Sequence, residues 1–154
     1  MDAVRFARRL RARCGFGNSI SYGSDFVVGP SFRLARGRTV KIGDKVSIGR
    51  NFDCMTNAVI GDNIMISSSV AFIGNDHSFN DPTKEIQSQG PLPIPTVRLD
   101  GNNLIGYGSI ILGDVTIGRG AIIGAGSLVT NDMPEDMICV GRPARPVKSR
   151  YEED

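Results

Sequence analysis

The 154-residue chain carries a net charge of +2 and three cysteines. That small charge creates no field that would select nucleic acid, and Cys14, Cys54 and Cys139 are too scattered for a disulfide framework or a zinc site. Because no apolar run approaches the roughly 20 residues of a membrane span, we expect one domain in the reducing cytoplasm, without a nucleic-acid partner.

The N-terminal segment, residues 1–16, contains five arginines interleaved with apolar residues at helical spacing. This pattern predicts a short N-terminal helix that is basic on one side. It lacks the apolar core of a signal peptide. It would either cap the open end of the following domain, which we favour, or make a peripheral contact with an anionic membrane surface.

A repeat of six residues begins at residue 42, stops after residue 77 and resumes at residue 99. Each of its twelve units opens with an apolar residue. These opening residues are Ile42, Ile48, Cys54, Ile60, Ile66, Phe72, Leu99, Ile105, Ile111, Ile117, Ile123 and Val129. The fifth position is small or β-branched except at four residues. The exceptions are Phe52, Asp76, Asn103 and Met133.

A period of six matches neither the α-helix nor the coiled-coil heptad. It matches short strands joined by tight turns, in which Gly and Asn supply the unusual φ values of a corner. Such self-similarity predicts an all-β fold, a parallel β-helix over residues 17–134. A β-sandwich would show irregular spacings of roughly 8–12 residues instead. Residues 135–154 are predicted to form a C-terminal tail.

The interruption, residues 78–98, is 21 residues long and contains four prolines. An insert of this length is usually either functional or disordered. The apolar run "PLPIPTV" needs a surface to pack on. We therefore expect a protruding loop that covers a cleft and touches a neighbouring subunit.

Several of these segments resemble the hexapeptide-repeat acyltransferases, which are left-handed parallel β-helices. The resemblance rests on "IGDNIM", "IGYGSI", "NDHSF" and the stretch "IIGAGSLVTNDMPEDMICVGRPARPVK", and it covers about residues 26 to 148. The branch it resembles most contains the galactoside, xenobiotic and surface-polysaccharide O-acetyltransferases. The resemblance implies a homotrimer with active sites between subunits, acetyl-coenzyme A (acetyl-CoA) as co-substrate, and no metal.

The only histidine of the chain, His77, lies in the segment resembling "NDHSF". An imidazole titrates near neutrality and can accept a proton. The resemblance implies that His77 is the general base that activates the acceptor, and that the backbone N–H of Tyr107 stabilises the oxyanion. The alternatives are a solvated turn histidine and an outward-facing turn aromatic.

The resemblance also assigns the binding of coenzyme A. The implied binding residues are Gly106, Gly124, Ala125, Gly126 and Thr130 for the pantetheine arm, and Arg142, Arg145 and Lys148 for the phosphates. Small residues let a thin chain approach the backbone, and phosphates attract cations. The alternatives are ordinary repeat turns and a solvated basic tail.

On the acceptor side, the resemblance suggests Asp53 and Asn57 as ligands of sugar hydroxyls. Asn75, Asp76 and Asp81 flank His77 and are candidates to orient it or the substrate. Turn carboxylates are often merely hydrogen-bonded locally. Two departures stand out: Leu104 occupies a position where many relatives carry Trp, and Asn103 points inward, where it must be hydrogen-bonded.

These features favour transfer of an acetyl group from acetyl-CoA to a sugar hydroxyl, in surface polysaccharide or glycan biosynthesis. An N-acetyltransferase of a nucleotide-linked amino sugar is the alternative, because the same base serves an amine. A non-catalytic β-helix scaffold is the alternative of another class. A γ-type carbonic anhydrase is excluded, because it needs three histidines on zinc.

Overall fold

The computed structural model describes residues 19–74 and 76–153, and within them 17 short strands and one turn of 3₁₀ helix, Ile86–Ser88. The strands are β1 Ser19–Tyr22, β2 Val27–Val28, β3 Arg33–Leu34, β4 Thr39–Ile42, β5 Ser47–Ile48, β6 Asp53–Cys54, β7 Asn57–Ile60, β8 Met65–Ile66, β9 Ala71–Ile73, β10 Thr96–Leu99, β11 Leu104–Ile105, β12 Ile110–Leu112, β13 Val115–Ile117, β14 Ile122–Ile123, β15 Leu128–Val129, β16 Met137–Gly141 and β17 Ala144–Ser149. The helix predicted over residues 1–16 lies outside the described residues. None of the described residues forms a helix long and apolar enough to cross a membrane.

The strands stack into three faces. Face A contains β1, β4, β7, β10 and β13, and face C contains β3, β6, β9, β12 and β15. Face B contains β2, β5, β8, β11, β14, β16 and β17. Successive coils each add one parallel strand to every face. A sixth coil begins with the parallel bridge of Met133 to Ile117 and continues in β16. The prediction of an all-β parallel solenoid is confirmed, and the three-faced winding is consistent with a left-handed β-helix.

The six-residue units place their apolar positions in the core. All twelve opening residues are buried, and so is every fifth-position residue except Asp76. Phe52 and Phe72, from adjacent coils, meet edge to face with ring centroids 5.0 Å apart. Asp76 is exposed because the chain has already left the solenoid after Ile73. The sixth unit, residues 72–77, is therefore not a complete repeat.

The corners of the coils explain the composition of the repeat. The fourth residue of a unit takes a positive φ at the corners after faces A and B, as at Asn63 (φ 56°) and Gly126 (φ 69°). Gly and Asn tolerate this conformation, as predicted. Lys45 and Ser69 adopt it too, since the stacked coils on either side hold the backbone in place.

Polar side chains cap the corner N–H groups of the coil before. The Ser24 N–H donates to Asp44 Oδ1 at 2.6 Å, and the Asp44 N–H donates to Asp62 Oδ1 at 2.8 Å. The Arg50 N–H donates to Ser68 Oγ at 3.2 Å. At these corners the acceptor side chain lies 18 or 20 residues further on, one coil above.

The insertion is 21 residues long, but the chain leaves and rejoins the solenoid at other residues than the repeat predicts. Phe72 lies opposite Ile111 and Leu99 opposite Ile117, so 27 residues in one coil match 6 in the next, an insertion of 21. The chain leaves the solenoid after Ile73 and returns at Thr96. Residues 96–98 belong to β10, because alternation buries Val97 in the core. We call residues 74–95 the arm.

The predicted C-terminal tail also differs from the structure. β16 pairs in parallel with β14 and extends face B by one coil. β17 then folds back antiparallel on β16 and covers that end of the sheet. An exposed strand edge invites aggregation, so this hairpin completes the solenoid rather than trailing from it.

Asn103 is the buried polar residue anticipated from the sequence. Its Oδ1 accepts from the Gly101 N–H at 3.0 Å, and its Nδ2 donates to the carbonyls of Gly118 at 2.7 Å and Ala121 at 3.2 Å. The partners are backbone groups of its own coil and the next. Asn103 therefore joins two coils.

We expect Asn103→Leu to lower the free energy of unfolding by about 3 kcal/mol. The Gly101 N–H loses its acceptor, and the Gly118 and Ala121 carbonyls each lose one of their two donors. Chemical denaturation measures this loss. The control is Asn80→Ala, at an exposed position of the arm. Equal stability of the two variants would contradict this role.

Candidate active site

The predicted site residues lie on two edges of the solenoid, at opposite sides of face C. The BC edge, between faces B and C, contains residues 106–108 and 124–126. The CA edge, between faces C and A, contains the arm and residues 55–56, 113–114 and 130–132. Strand β12 and its flanking residues separate the two edges by about 13 Å, four steps of extended chain.

His77 lies at the base of the arm on the CA edge, and its side chain is exposed. It forms an antiparallel bridge with Pro91. On either side, the Ser78 N–H donates to the Gly90 carbonyl at 2.8 Å and the Leu92 N–H donates to the Asp76 carbonyl at 2.6 Å. The backbone of His77 is therefore held in a short hairpin.

The neck of the arm is also tightly packed. The Asn57 N–H donates to the Pro95 carbonyl at 2.9 Å, and the Gly113 N–H donates to the Ile73 carbonyl at 3.0 Å. A Cβ added to Gly74 would lie 2.6 Å from the Pro95 ring, so only glycine fits there. The arm thus leaves a fixed point of the solenoid, as expected of a functional loop on a rigid frame.

Two of the predicted acceptor ligands already have protein partners. Asp53, outward on β6, forms an ion pair with Arg33 of the coil below. Asn57 Oδ1 accepts from the Thr39 N–H at 2.9 Å. Both lie near the CA edge, below the arm. Asp76 is exposed beside His77, and Asn75 lies outside the described residues.

Asp81 shapes the tip of the arm. Its Oδ1 accepts from Thr83 Oγ1 at 2.6 Å and the Thr83 N–H at 3.0 Å, while its Oδ2 pairs with Lys84 Nζ at 2.9 Å. The Thr83 hydroxyl, the Lys84 ammonium and the Thr83 N–H lower the pKa of this carboxyl below its ordinary value. Both carboxyl oxygens are thus engaged within the arm, which makes Asp81 a structural residue in the single chain.

The two described thiols are poor nucleophile candidates. Cys54 is buried next to Asp53, and this burial raises the pKa of its thiol to about 11. Burial also raises the pKa of the Cys139 thiol. Because the thiolate is the reactive form, a raised pKa makes both thiols unreactive. Both side chains belong to the apolar core.

On the BC edge, Tyr107 lies at a corner whose N–H is not capped by the coil above. The capped corners have Asp or Ser one coil further on, but the residue 18 positions after Tyr107 is Ala125, which has no acceptor side chain. The Tyr107 carbonyl accepts from the Gly126 N–H at 2.7 Å, which fixes the peptide. Tyr107 is 61% exposed, so its ring lies at the surface of this uncapped corner.

The same edge offers room for a thin ligand chain. Gly108 and Gly126 have positive φ, and an added Cβ at either would meet nothing within 4 Å. Gly106 and Gly124 serve packing instead: a Cβ on Gly106 would lie 2.5 Å from the Ala125 nitrogen, and one on Gly124 would lie 2.6 Å from Val140 Cγ1. The open glycines leave space for the predicted pantetheine chain of coenzyme A. The packed glycines allow the coils to approach closely.

Of the predicted phosphate ligands, Arg142 lies at the BC edge, while Arg145 and Lys148 lie along β17 on face B. Arg142 Nε donates to the Gly126 carbonyl at 2.6 Å, which places its guanidinium beside the open glycine Gly126. Arg145 is exposed on β17 and donates to the Ala144 carbonyl at 2.8 Å, and Lys148 lies opposite Ile138. Thr130, by contrast, follows β15 on the CA edge, where its Oγ1 donates to Asn131 Oδ1 at 3.1 Å.

Two polar residues near the site are missing from the predictions. Arg33 precedes its partner Asp53 by 20 residues, one coil, and counting in coils would have found it. Gln89, described below, binds the tip of the arm across eight residues. No repeat applies inside the arm, so no sequence signal identifies Gln89.

Comparisons with known proteins agree with this fold. Residues 96–131 match the bacterial transferase hexapeptide (six repeats) family model. The chain is 31% identical to galactoside O-acetyltransferase of Escherichia coli over 73% of this chain and 58% of that protein.

Solved structures show the same architecture. A hexapeptide-repeat acetyltransferase of Vibrio cholerae, complexed with acetyl-CoA, superimposes with a TM-score of 0.82 at 27% identity, covering 99% of this chain and 80% of that chain. A maltose O-acetyltransferase of Clostridium difficile gives 0.63 at 30% identity over 85% and 69%. An N-acyltransferase of Bacillus cereus, in complex with dTDP and coenzyme A, gives 0.62 at 25% over 87% and 78%.

The chain therefore belongs to the hexapeptide-repeat acyltransferase family. It spans about half the length of the curated relatives it matches. Those relatives are named as acetyltransferases, among them a putative one from Schizosaccharomyces pombe that is 33% identical over 77% of this chain and 57% of that protein.

The contacts of Asp81 predict how the arm tip responds to acid. Because folding lowers the pKa of this carboxyl, its bonds stabilise the arm tip fully above the unfolded pKa of about 4. This stabilisation is lost as the pH falls through the folded pKa. The Thr83 amide resonance should therefore shift with a midpoint below about 4, and Asp81→Asn should abolish that transition. A midpoint at or above the ordinary aspartate value would contradict the contacts.

Proposed function

We propose that the chain transfers an acetyl group from acetyl-CoA to a sugar hydroxyl, with His77 as the general base. The observation that carries the proposal is the position of the single histidine. It lies, exposed, in a braced hairpin at the base of an arm that leaves the solenoid at a fixed neck. A polar side chain held this way on a rigid frame is typical of a catalytic group.

The proposed reaction moves one proton and one acyl group. His77 takes the proton of the acceptor hydroxyl as its oxygen attacks the thioester carbonyl. The Tyr107 N–H donates to the oxyanion that forms. The carbon–sulfur bond then breaks, and the imidazolium returns its proton to the departing coenzyme A thiolate.

Binding would divide between the two edges. On the BC edge, Gly108, Ala125 and Gly126 would lie against the pantetheine chain, while Gly106 and Gly124 would hold the coils close together beside it. Arg142, Arg145 and Lys148 would attract the phosphates. On the CA edge, Thr130 would contact the coenzyme, and Asp53, Asn57, Asn75, Asp76 and Asp81 are the proposed acceptor ligands. The bonds of Asp81 within the arm leave it the weakest of these candidates.

The separation of the edges supports a homotrimer. In one chain, face C lies between His77 and Tyr107. In a ring of copies, the CA edge of one chain faces the BC edge of the next, and the two halves of the site meet in the cleft. We also propose left-handed winding, an exception to the usual crossover rule.

Acceptance of an amine is the second candidate. The same base would deprotonate an amino sugar, and the structural neighbour from Bacillus cereus is an N-acyltransferase with bound dTDP. The maltose O-acetyltransferase neighbour favours a hydroxyl. We place the enzyme in the cytoplasm, in polysaccharide or glycan biosynthesis, with peripheral membrane contact through residues 1–16 as a secondary proposal.

We expect His77→Ala to lower acetyl-CoA turnover by about 10²–10⁴-fold, because the general base is lost. Release of coenzyme A would be measured over a panel of sugars and nucleotide-linked amino sugars. The control is Asn80→Ala, on the same arm. The acceptor that is consumed decides between hydroxyl and amine. Unchanged turnover in His77→Ala would reject its catalytic role, and coenzyme A binding without any turnover would point to an untested acceptor.

A second experiment tests whether two chains share one site. Ala125→Ser should place an acceptor over the Tyr107 N–H, as Ser68 does for Arg50, and lower kcat by about 10²-fold. His77→Ala damages the other edge. After the two inactive variants are refolded together in equal amounts, random assembly of a trimer leaves about one quarter of the clefts intact.

Recovery of about a quarter of the wild-type turnover would therefore identify a shared site. The control mixes each variant with itself. If the mixture stays as inactive as its parts while forming trimers, the site lies within one chain.

A further inference from the structure

The side chain of Gln89 takes the place of a peptide group inside the arm. Its Oε1 accepts from the Asp81 N–H at 3.0 Å, and its Nε2 donates to the Asp81 carbonyl at 3.1 Å. The side-chain amide thus bonds both backbone groups of Asp81, as the backbone of a neighbouring β-strand would. The second hydrogen of Nε2 donates to the Lys84 carbonyl at 3.1 Å. One amide thus closes the tip of the arm by three hydrogen bonds.

This closure lies next to the hairpin that holds His77. Gly90 follows Gln89, takes a φ of 77°, and accepts from the Ser78 N–H through its carbonyl. The next residue, Pro91, is bridged to His77. Asp81 lies four residues after His77, and Gln89 lies two residues before Pro91. The hydrogen bonds between Asp81 and Gln89 and the bridge between His77 and Pro91 therefore close a ring of chain that includes His77.

Little else determines the shape of this ring. All side chains from 82 to 88 are exposed, and Phe79 and Ile86 are 65% and 60% exposed in the single chain. The arm tip thus lacks an apolar core. Its conformation depends on hydrogen bonds, those of Asp81 with Thr83 and Lys84 and those of Gln89.

We propose that Gln89 is a positioning residue: it fixes the arm so that the His77 imidazole stays aligned with the acceptor. This inference rests on the proposed function of His77. Gln89 acts through the backbone on either side of the base and contacts neither substrate. Its loss should affect the chemical step rather than coenzyme binding, because the predicted coenzyme residues lie mainly on the BC edge.

The chain provides a matched control two residues away. Gln87 is an exposed glutamine on the same arm. Gln89→Ala should lower kcat by about 100-fold, the cost of a small misplacement of a catalytic group. KM for acetyl-CoA should stay within about twofold. Gln87→Ala should match wild type in both, and all variants should share one melting temperature, since the arm lies outside the solenoid.

A near-isosteric change separates hydrogen bonding from size. Gln89→Glu keeps the length of the side chain and its acceptor, but a carboxylate cannot donate to the Asp81 and Lys84 carbonyls. It should lose most of the turnover that Gln89→Ala loses. Full activity of Gln89→Glu would mean that the two donated bonds do not position His77.

A readout independent of turnover keeps this inference separate from the proposed function. The single histidine gives one unambiguous set of imidazole signals in the NMR spectrum. Gln89→Ala should shift and broaden them, and Gln87→Ala should leave them unchanged. If the wild type neither binds coenzyme A nor transfers an acetyl group, yet these signals move, the proposed function fails and the positioning stands. If the signals and kcat of Gln89→Ala equal those of Gln87→Ala, the inference is overturned.

Discussion

The backbone pairing between coils is the constraint on which the rest of the structure depends. Val40, Ala58, Val97 and Val115 lie opposite one another on four successive coils of face A. Each residue of a face must meet its counterpart one coil away, or every side chain beyond it would turn to the wrong side. The chain can therefore leave the solenoid only if it returns in the same register. The arm does so with 21 additional residues, at the modest entropic cost of a longer loop.

The strength of this constraint explains what the sequence could predict. An apolar residue every six positions identifies the buried positions, and Ile42, Ile105 and Val129 are all in the core. The same counting yields the length of the insertion. It cannot locate the insertion, because the opening residue of a unit lies at the end of its strand, or one residue before the end at Phe72 and Ile111. Thr96–Arg98 precede Leu99 in β10, so the periodicity alone left them in the loop.

The site was less predictable than the fold, because its geometry depends on contacts without a period. Asp53 was predicted from resemblance, but its ion pair with Arg33 appears only once the coils are stacked. Gln89 and Asp81 are eight residues apart inside an irregular segment. The repeat predicts that Ala125 lies above Tyr107. The functional point is that Ala125 has no side-chain acceptor to cap the Tyr107 N–H. That absence becomes visible only beside the capped corners of Arg50 and Asp44.

The molecule thus combines two kinds of order. The solenoid is held by buried aliphatic side chains and continuous backbone pairing, which resist local opening. The arm tip is held by a few half-exposed hydrogen bonds, and segments of this kind open at lower free energy. The proposed base, His77, lies where the solenoid and the arm meet. The neck of the arm is held by the rigid coils, while the tip of the arm is held by the hydrogen bonds of Gln89 and Asp81. Changes at the tip can therefore alter the alignment of the proposed base without disturbing a single coil.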